Sequence, residues 1–244
     1  MQTVECDAIV LASMDYGEAD RIVTLFTREF GKIRGLARNG KKSVKRFGPA
    51  FELFARIRIR LVMKEGLCAL SNTDIITVFP RIRADLAKIG YAGYACELVD
   101  RYSPEAQHNP RLFRLLFAYL EYLDAFPPRA DDRRFFEVNL LNIVGYRLSL
   151  DRCGRCGESA LPAGTDRGTT VKPVCGVCGR ALLPVGTDTL TILKKAMETG
   201  RFGVLRFSPA SLQEAGEILD AAIAEHVNRP LTSLQFLRDV LALH

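Results

Sequence analysis

The segment Leu53-Phe-Ala-Arg-Ile-Arg-Ile-Arg-Leu-Val-Met-Lys64 sets the architecture of the N-terminal part of the chain. Starting with the leucine, every second residue is apolar, and Arg56, Arg58 and Arg60 stand between the apolar positions. A hydrophobic period of two predicts a β-strand with one buried face and one solvent face. We therefore expect the apolar row in a protein core and all three arginines in water.

The first eighty residues predict four further strands, separated by turn-forming residues at 15–18, 28–31 and 65–66. Five short strands in that length suit a small closed barrel, and the OB-fold is a nucleic-acid-binding barrel of this kind. We predict an OB-fold nucleic-acid-binding domain over residues 1–80. The predicted strands are Glu5–Ser13, Arg21–Thr27, Lys32–Arg38, Leu53–Lys64 and Leu67–Phe79.

Residues 81–244 predict an all-α domain that carries a cysteine-rich ribbon at 151–183, so the fold class is α+β. Apolar residues recur at helical spacing, and prolines and glycines separate the segments. The predicted helices are Arg81–Tyr102, Pro110–Ala125, Ala130–Leu148, Asp188–Glu198, Ser211–Val227 and Ser233–Leu243.

The ribbon contains two matched cysteine pairs, Cys153-Gly-Arg-Cys156 and Cys175-Gly-Val-Cys178. Two C-x₂-C pairs at this separation are typical of a tetrahedral Zn²⁺ site. Four sulfur ligands leave no open position, so we predict one structural Zn²⁺ per chain held by these four cysteines. The alternative, a zinc-dependent hydrolase, requires a water ligand on the metal. A redox motif is disfavoured because no βαβ pattern surrounds either pair.

No catalytic motif stands out, and we predict that the protein is not an enzyme. The segment Gly35-Leu-Ala-Arg-Asn-Gly-Lys41 approaches a phosphate-binding loop, but Lys42 stands where a hydroxyl must hold Mg²⁺, and no helix pattern follows. The three histidines, His108, His226 and His244, lie far apart without a motif around them.

Positive charge is concentrated in one segment. The chain carries a formal net charge of +6, yet eleven basic residues and one acid lie between Lys32 and Lys64, so the remainder is net negative. Such a patch is the electrostatic footprint of a polyanion partner, and Phe47 offers an aromatic ring for base stacking. The candidate phosphate-binding residues are Lys32, Arg34, Arg38, Lys41, Lys42, Lys45, Arg46, Arg56, Arg58 and Arg60.

Three other interpretations of this basic segment stay open. Solvated strand faces often carry lysine and arginine for solubility, but they usually mix both signs of charge, and this segment does not. An RNA-binding OB-fold protein with a structural zinc ribbon would carry the same cations. A protein that binds anionic membranes would need exposed apolar anchors beside them.

The remaining signals predict a cytoplasmic protein. The N-terminus has no basic run before an apolar stretch, and no apolar segment approaches the length of a membrane span. Cys6, Cys68 and Cys96 stand singly in apolar surroundings, as expected of buried thiols in a reducing compartment.

Two runs of sequence, together with the order of the predicted domains, resemble the RecO family of bacterial recombination mediators. The runs are Gly17-Glu-Ala-Asp-Arg-Ile-Val-Thr-Leu-Phe-Thr27 and Gly31-Lys-Ile-Arg-Gly-Leu-Ala-Arg-Asn-Gly40. The resemblance covers the whole chain and implies a role in DNA repair and recombination. It implies binding to single- and double-stranded DNA and annealing of complementary strands. We also predict that the cytoplasmic protein associates with the nucleoid. The implied partners are RecR and the acidic C-terminal tail of single-strand binding protein, with RecA loaded indirectly and without cofactor hydrolysis.

Overall fold

The computed structural model describes residues 3–43, 46–64, 66–148, 150–153, 155–158, 162–167, 171–175, 177–178, 185–227 and 229–242, with the backbone alone at 162–167 and 171–173. The chain forms two compact units. One comprises Met1–Pro127 and Leu231–His244, and the other comprises Pro128–Pro230. No helix within these described ranges is long and apolar enough to cross a membrane.

The first unit contains a closed five-stranded barrel, which confirms the predicted OB-fold. Its strands are β1 (Thr3–Tyr16), β2 (Asp20–Thr27), β3 (Gly31–Ala37), β4 (Arg56–Val62) and β5 (Cys68–Thr77). The strand order around the barrel is β1-β2-β3-β5-β4, and antiparallel pairing of β1 with β4 closes it. The parallel seam between β3 and β5 is short, because it pairs only Gly35 with Cys68 and Leu36 with Ala69.

The interior of the barrel confirms the period of two in β4. Ile57, Ile59 and Leu61 are completely buried and belong to one hydrophobic cluster with residues of the other strands. The pattern fails before Arg56, where Leu53 is exposed and Phe54 is buried. A short 3₁₀-helix spans residues 48–51, and Phe54 has a left-handed φ of 72°. The prediction of a strand from Leu53 was therefore wrong, because a turn with this backbone cannot keep strand alternation.

Part of the barrel's outer surface is also buried. Ile9, Ile22 and Phe26 alternate with interior residues of β1 and β2, yet they are also buried. The ring of Phe26 lies 6.2 Å from that of Phe113 on a neighbouring helix. Helices of the same unit thus cover this side of the barrel, and any large ligand must approach another side.

Seven α-helices follow the barrel among the described residues. They are α1 (Pro80–Arg83), α2 (Leu86–Tyr102), α3 (Pro110–Ala125), α4 (Ala130–Ile143), α5 (Thr187–Glu198), α6 (Pro209–His226) and α7 (Thr232–Ala242). The single helix predicted over Arg81–Tyr102 is two helices, because Asp85 begins α2 by accepting a hydrogen bond from the Lys88 amide. The helix predicted to Leu148 ends at Ile143, and Gly145 follows with a φ of 95°.

Helices α1, α2, α3 and α7 belong to the barrel unit. Helix α7 packs on α2, where Leu237 lies against Gly90. The Glu97 carboxylate accepts hydrogen bonds from the Ser233 amide and hydroxyl at the start of α7. These bonds hold the pKa of Glu97 below its usual value despite partial burial. The domain boundary at residue 80 therefore stays a prediction. In the structure, these four helices belong to the same compact unit as the barrel.

The second unit contains α4, α5, α6 and a two-stranded antiparallel ribbon. The ribbon strands are β6 (Pro162–Arg167) and β7 (Val171–Cys175). Arg134 of α4 is buried and donates to Glu137 at 2.7 Å and to Asp220 of α6 at 2.6 Å. This ion-pair network links α4 to α6, since each buried charge needs its partners.

Candidate nucleic-acid interface and metal centre

The two cysteine pairs meet in the second unit. The sulfur atoms of Cys153, Cys156, Cys175 and Cys178 all lie within 4.8 Å of one another. Cys156 Sγ and Cys175 Sγ, from different pairs, are 3.8 Å apart. A tetrahedron with metal–sulfur distances of about 2.3 Å has sulfur–sulfur edges of about 3.8 Å. The donor set therefore fits one tetrahedrally coordinated metal ion.

Backbone hydrogen bonds shape the first cysteine pair. The Gly157 amide donates to Cys153 O, and the Cys153 amide donates to Glu158 O, both at 2.9 Å. Gly157 has a φ of 75°, which only glycine adopts without strain. The Arg155 guanidinium donates to Cys178 O at 3.1 Å and so links the two pairs. The chain thus forms the turn that brings the two sulfurs of this pair to one point.

The first cysteine of each pair is the more acidic one. The amides of Cys156 and Cys175 donate to Cys153 Sγ and lower the pKa of Cys153 to about 6. The amide of Cys178 does the same for Cys175 and lowers its pKa. Hydrogen bonds to sulfur favour the thiolate, which is the form that binds metal. The local backbone therefore prepares both thiols for metal coordination.

The structure brings part of the predicted basic segment together around one cleft. The cleft has a volume of about 230 Å³ and is lined by Glu5, Arg46, Arg58, Arg60, Asn72, Thr73 and Asp74. Arg46 anchors its rim, because its guanidinium donates to Arg38 O at 2.9 Å and its carbonyl accepts from the Thr73 amide at 3.2 Å. Arg46 thereby lines the same cleft as Arg58 and Arg60 of β4, and Arg38 contacts Arg46 through its backbone carbonyl.

The β4 surface carries both signs of charge, so the expectation of an unmixed basic face was wrong. Arg60 lies 3.2 Å and Arg58 3.9 Å from the Glu5 carboxylate of β1. Asp74 of β5 is the register partner of Arg58 on the other side. A count of charged residues within one sequence segment leaves out the acidic residues that neighbouring strands place beside it. These arginines are therefore partly neutralised within the barrel.

Arg56 does not point into water as predicted. Its Nε donates to Asp7 Oδ1 at 2.9 Å, and its guanidinium carbon lies 4.1 Å from the centroid of the Phe117 ring. The hydrogen bonds that Arg56 donates to the Asp7 carboxylate raise the pKa of Arg56. Both side chains of the pair are largely buried. Arg56 therefore serves barrel–helix packing within the first unit, where a carboxylate and an aromatic face already satisfy it.

Two predicted lysines also have partners within the protein. Lys32 Nζ donates to Asp100 O at 2.6 Å and lies 3.1 Å from Asp100 Oδ1. Lys41 Nζ donates to Gly17 O at 2.9 Å and lies 3.2 Å from Asp15 Oδ2. The hydrogen bond from Lys41 lowers the pKa of Asp15. Both lysines hold loops or helices in place, and only part of their charge is available to a ligand.

The remaining cations lie on β3 and the loop that follows it. Arg34, Arg38 and Lys42 are exposed, and Arg46 is half-buried. Among the described residues, no carboxylate forms an ion pair with any of these four side chains. Lys45 lies outside the described residues. We define Arg34, Arg38, Lys42 and Arg46 as the loop cations, and they are the part of the segment that keeps its full charge.

Phe47 is not available for base stacking. Its side chain is 2% exposed, its ring packs against Phe51 at 4.8 Å, and the Arg46 guanidinium lies 5.0 Å from its centroid. The prediction of an exposed aromatic was wrong, because Phe47 belongs to the barrel core. It instead supports the backbone that presents Arg46.

Comparison with known proteins gives a consistent result along the chain. The family model described as Recombination protein O N terminal matches residues 1–79, and Recombination protein O C terminal matches residues 83–235. The chain belongs to the RecO family. Proteins named DNA repair protein RecO from Geobacter metallireducens and Geobacter sulfurreducens are each 54% identical to it, and the alignments cover 98% of this chain and 99% of each relative. The protein of that name from Pelobacter propionicus is 45% identical over 98% of both chains.

This RecO-family barrel contains site residues that sequence reasoning missed. Asn72, Thr73 and Asp74 line the cleft from β5, and Glu5 and Asp7 pair with the β4 arginines. One signal was present in the sequence, since Glu5 and Asp7 share the polar face of the first predicted strand. The missing information was that β1 lies beside β4.

Proposed function

We propose that the protein is a non-enzymatic DNA-binding recombination mediator of recombinational repair. The observation that carries the proposal is the group of loop cations on an OB-fold barrel, in a chain that belongs to the RecO family. Phosphate contacts by such cations provide affinity without sequence preference. Single- and double-stranded DNA are both ligands in this proposal.

Annealing follows from the same electrostatics. Two complementary strands repel each other through their phosphates, and cations held on one protein surface lower that repulsion. The loop cations need no cofactor for this role, because pairing of the bases provides the driving force. Binding and annealing therefore proceed without nucleotide hydrolysis.

The proposed partners come from the resemblance to the family. They are RecR and the acidic C-terminal tail of single-strand binding protein, and through them the chain assists loading of RecA on coated DNA. We propose a cytoplasmic, nucleoid-associated location, since the DNA substrate lies there.

For the metal centre we propose one structural Zn²⁺ held by Cys153, Cys156, Cys175 and Cys178. Tetrahedral sites of four sulfurs suit zinc or iron, and the C-x₂-C pairs of a two-stranded ribbon favour zinc. Four protein ligands complete the coordination, so the ion stabilises the ribbon and leaves no position for a substrate. Metal analysis should find about one zinc per chain and no iron, whereas iron in this amount would contradict the assignment.

A strand-annealing assay tests the proposed function. The purified protein should accelerate pairing of complementary DNA strands in the absence of nucleotide, and a variant with Arg34→Glu and Arg38→Glu should lose the acceleration. The matched control is Arg111→Glu with Arg114→Glu, the same charge change at exposed positions of α3. Equal loss in both variants would indicate a net-charge effect. Tighter binding to RNA than to DNA of the same sequence would favour the RNA-binding alternative.

A further inference from the structure

The four cysteines of the metal centre differ in their exposure to solvent. Cys153 and Cys175 are 3% and 6% exposed, Cys178 is intermediate, and Cys156 is exposed. Oxidants attack cysteine sulfur according to its thiolate character and its accessibility. Since all four are thiolates when they coordinate a metal, accessibility distinguishes them. Cys156 is therefore the sulfur that a small polar oxidant reaches first.

A second sulfur lies close to Cys156 on the other cysteine pair. Cys175 Sγ is 3.8 Å away, and a disulfide bond requires about 2.05 Å. Cys175 ends β7 and is buried, whereas Cys156 lies in an exposed turn. Formation of a disulfide therefore requires the two sulfurs to approach each other by about 1.8 Å. The geometry is that of a reactive cysteine beside a resolving cysteine.

We propose that Cys156 is a site of oxidation by hydrogen peroxide and that Cys175 resolves it as a disulfide with loss of the metal. The proposal rests on the zinc site proposed above. In the first step, the Cys156 thiolate attacks one peroxide oxygen, the S–O bond of a sulfenic acid forms on Cys156, the O–O bond breaks, and hydroxide leaves. In the second, Cys175 Sγ attacks Cys156 Sγ, the S–O bond breaks, and a second hydroxide leaves. The two sulfurs together lose two electrons, and the peroxide gains them.

The disulfide removes two of the four ligands. Cys153 and Cys178 then remain as a two-sulfur site, which holds zinc far more weakly than four sulfurs do. The loop cations lie in the other compact unit and contain no sulfur. Oxidation should therefore release zinc while the barrel keeps its electrostatic contacts with DNA.

Peroxide titration of the zinc-loaded protein tests the proposal. A chromogenic chelator should report release of about one zinc per chain, and the thiol count under denaturing conditions should fall by two from the seven cysteines of the chain. Cys6, Cys68 and Cys96 are buried and should stay reduced. Dithiothreitol with added zinc should restore both quantities.

Trypsin separates the cysteines conveniently. Cleavage after Arg152, Arg155, Arg167 and Arg180 places Cys153 and Cys156 on different peptides and leaves Cys175 and Cys178 on a third, because Pro173 protects the bond after Lys172. Mass spectrometry should find peptide 156–167 linked to peptide 168–180. A link between peptides 153–155 and 156–167 would overturn the assignment of the resolving cysteine.

Two histidine variants preserve a four-ligand site, since three cysteines and one histidine also bind zinc. Cys156→His should retain zinc and resist peroxide, with release slowed at least tenfold. Cys178→His should stay sensitive and form the same linked peptides, which then identify Cys175. If Cys156→His fails to retain zinc, peptide mapping of the unchanged protein still shows whether oxidation links peptide 156–167 to peptide 168–180. Release without any disulfide would contradict the proposal.

The outcomes separate this proposal from those on which it rests. Absence of zinc from the untreated protein would contradict the metal assignment. Zinc that is present but inert to peroxide would contradict only the oxidation. DNA affinity measured before and after treatment reports on the barrel independently.

Discussion

The loop cations and the β4 arginines come from one basic segment, yet they have different surroundings. Arg34, Arg38 and Lys42 are exposed, and no described carboxylate pairs with them. Arg56 is paired with Asp7, and Arg58 and Arg60 share Glu5. A formal charge therefore contributes to polyanion binding only as far as the fold leaves it unpaired. The comparison predicts that the loop cations dominate DNA affinity.

The largest effect is expected from neutralising Arg34, Arg38 and Lys42 to glutamine together. Each lost phosphate contact reduces the slope of log affinity against log salt by about 0.7 for single-stranded DNA, so the slope should become shallower by about 2. If affinity at 1 M salt is unchanged, this slope corresponds to about a hundredfold loss at 0.1 M salt. Fluorescence anisotropy over a salt series measures both quantities.

The control for this triple variant is Arg111→Gln with Arg114→Gln, which changes exposed charges on α3. An unchanged slope in the folded triple variant would place the DNA site elsewhere and remove the distinction between the two regions.

The next largest effect is expected at Arg56, where a substitution should lower protein stability and leave DNA binding by the folded protein unchanged. Arg56→Ala leaves the largely buried Asp7 carboxylate without its partner and removes the contact with Phe117. We expect a loss of about 2 kcal/mol in the free energy of unfolding, as is typical when a partly buried polar group loses its partner. Urea denaturation measures this loss.

Arg58→Ala is the matched variant for Arg56→Ala, because Arg58 is exposed and its ion pair is long. It should change stability by less than about 0.5 kcal/mol. In the folded state, Arg56→Ala should keep the salt dependence of DNA binding. A lower salt slope with unchanged stability would show that Arg56 contacts phosphate after all.

Features with a regular local spacing could be predicted from the sequence. Contacts between residues on different strands could not. The period of two in β4 and the spacing of the four cysteines were sufficient for the barrel and the cluster, since both follow from local geometry. The pairing of Arg56 with Asp7 spans 49 residues of sequence. It depends on β1 lying beside β4, and no local pattern contains that information.

Aromatic residues illustrate the same limit. Phe47 lies in a basic, glycine-flanked loop, which suggested exposure, but the loop folds back and places its ring in the core. Hydrophobic burial outweighs the polar character of its sequence neighbours. Phe54 enters the core through a left-handed turn that the alternating pattern conceals.

A smaller effect is expected from neutralising Arg58 and Arg60 together to glutamine. Glu5 already lies within 3.2 Å of Arg60, so part of their charge is compensated before DNA arrives. Two fully available cations would reduce the salt slope by about 1.4, and we expect less than about 0.7 from this pair. A reduction as large per residue as that of the loop cations would mean that DNA displaces Glu5 at little cost.

The smallest effect on DNA affinity is expected from neutralising the acidic residue Glu5 and leaving its arginine partners unchanged. Glu5→Gln keeps the size of the side chain and releases Arg58 and Arg60 from their ion pairs. Exposed ion pairs are worth about 0.2 to 1 kcal/mol, so affinity for single-stranded DNA should rise about twofold at low salt.

The control is Glu18→Gln, which makes the same change in net charge at an exposed position between β1 and β2 and should raise affinity less. Equal gains in both variants would show that net charge alone matters. Weaker binding in Glu5→Gln would show that Glu5 positions Arg60 for its phosphate contact, because an arginine without its anchor loses orientation along with its partner.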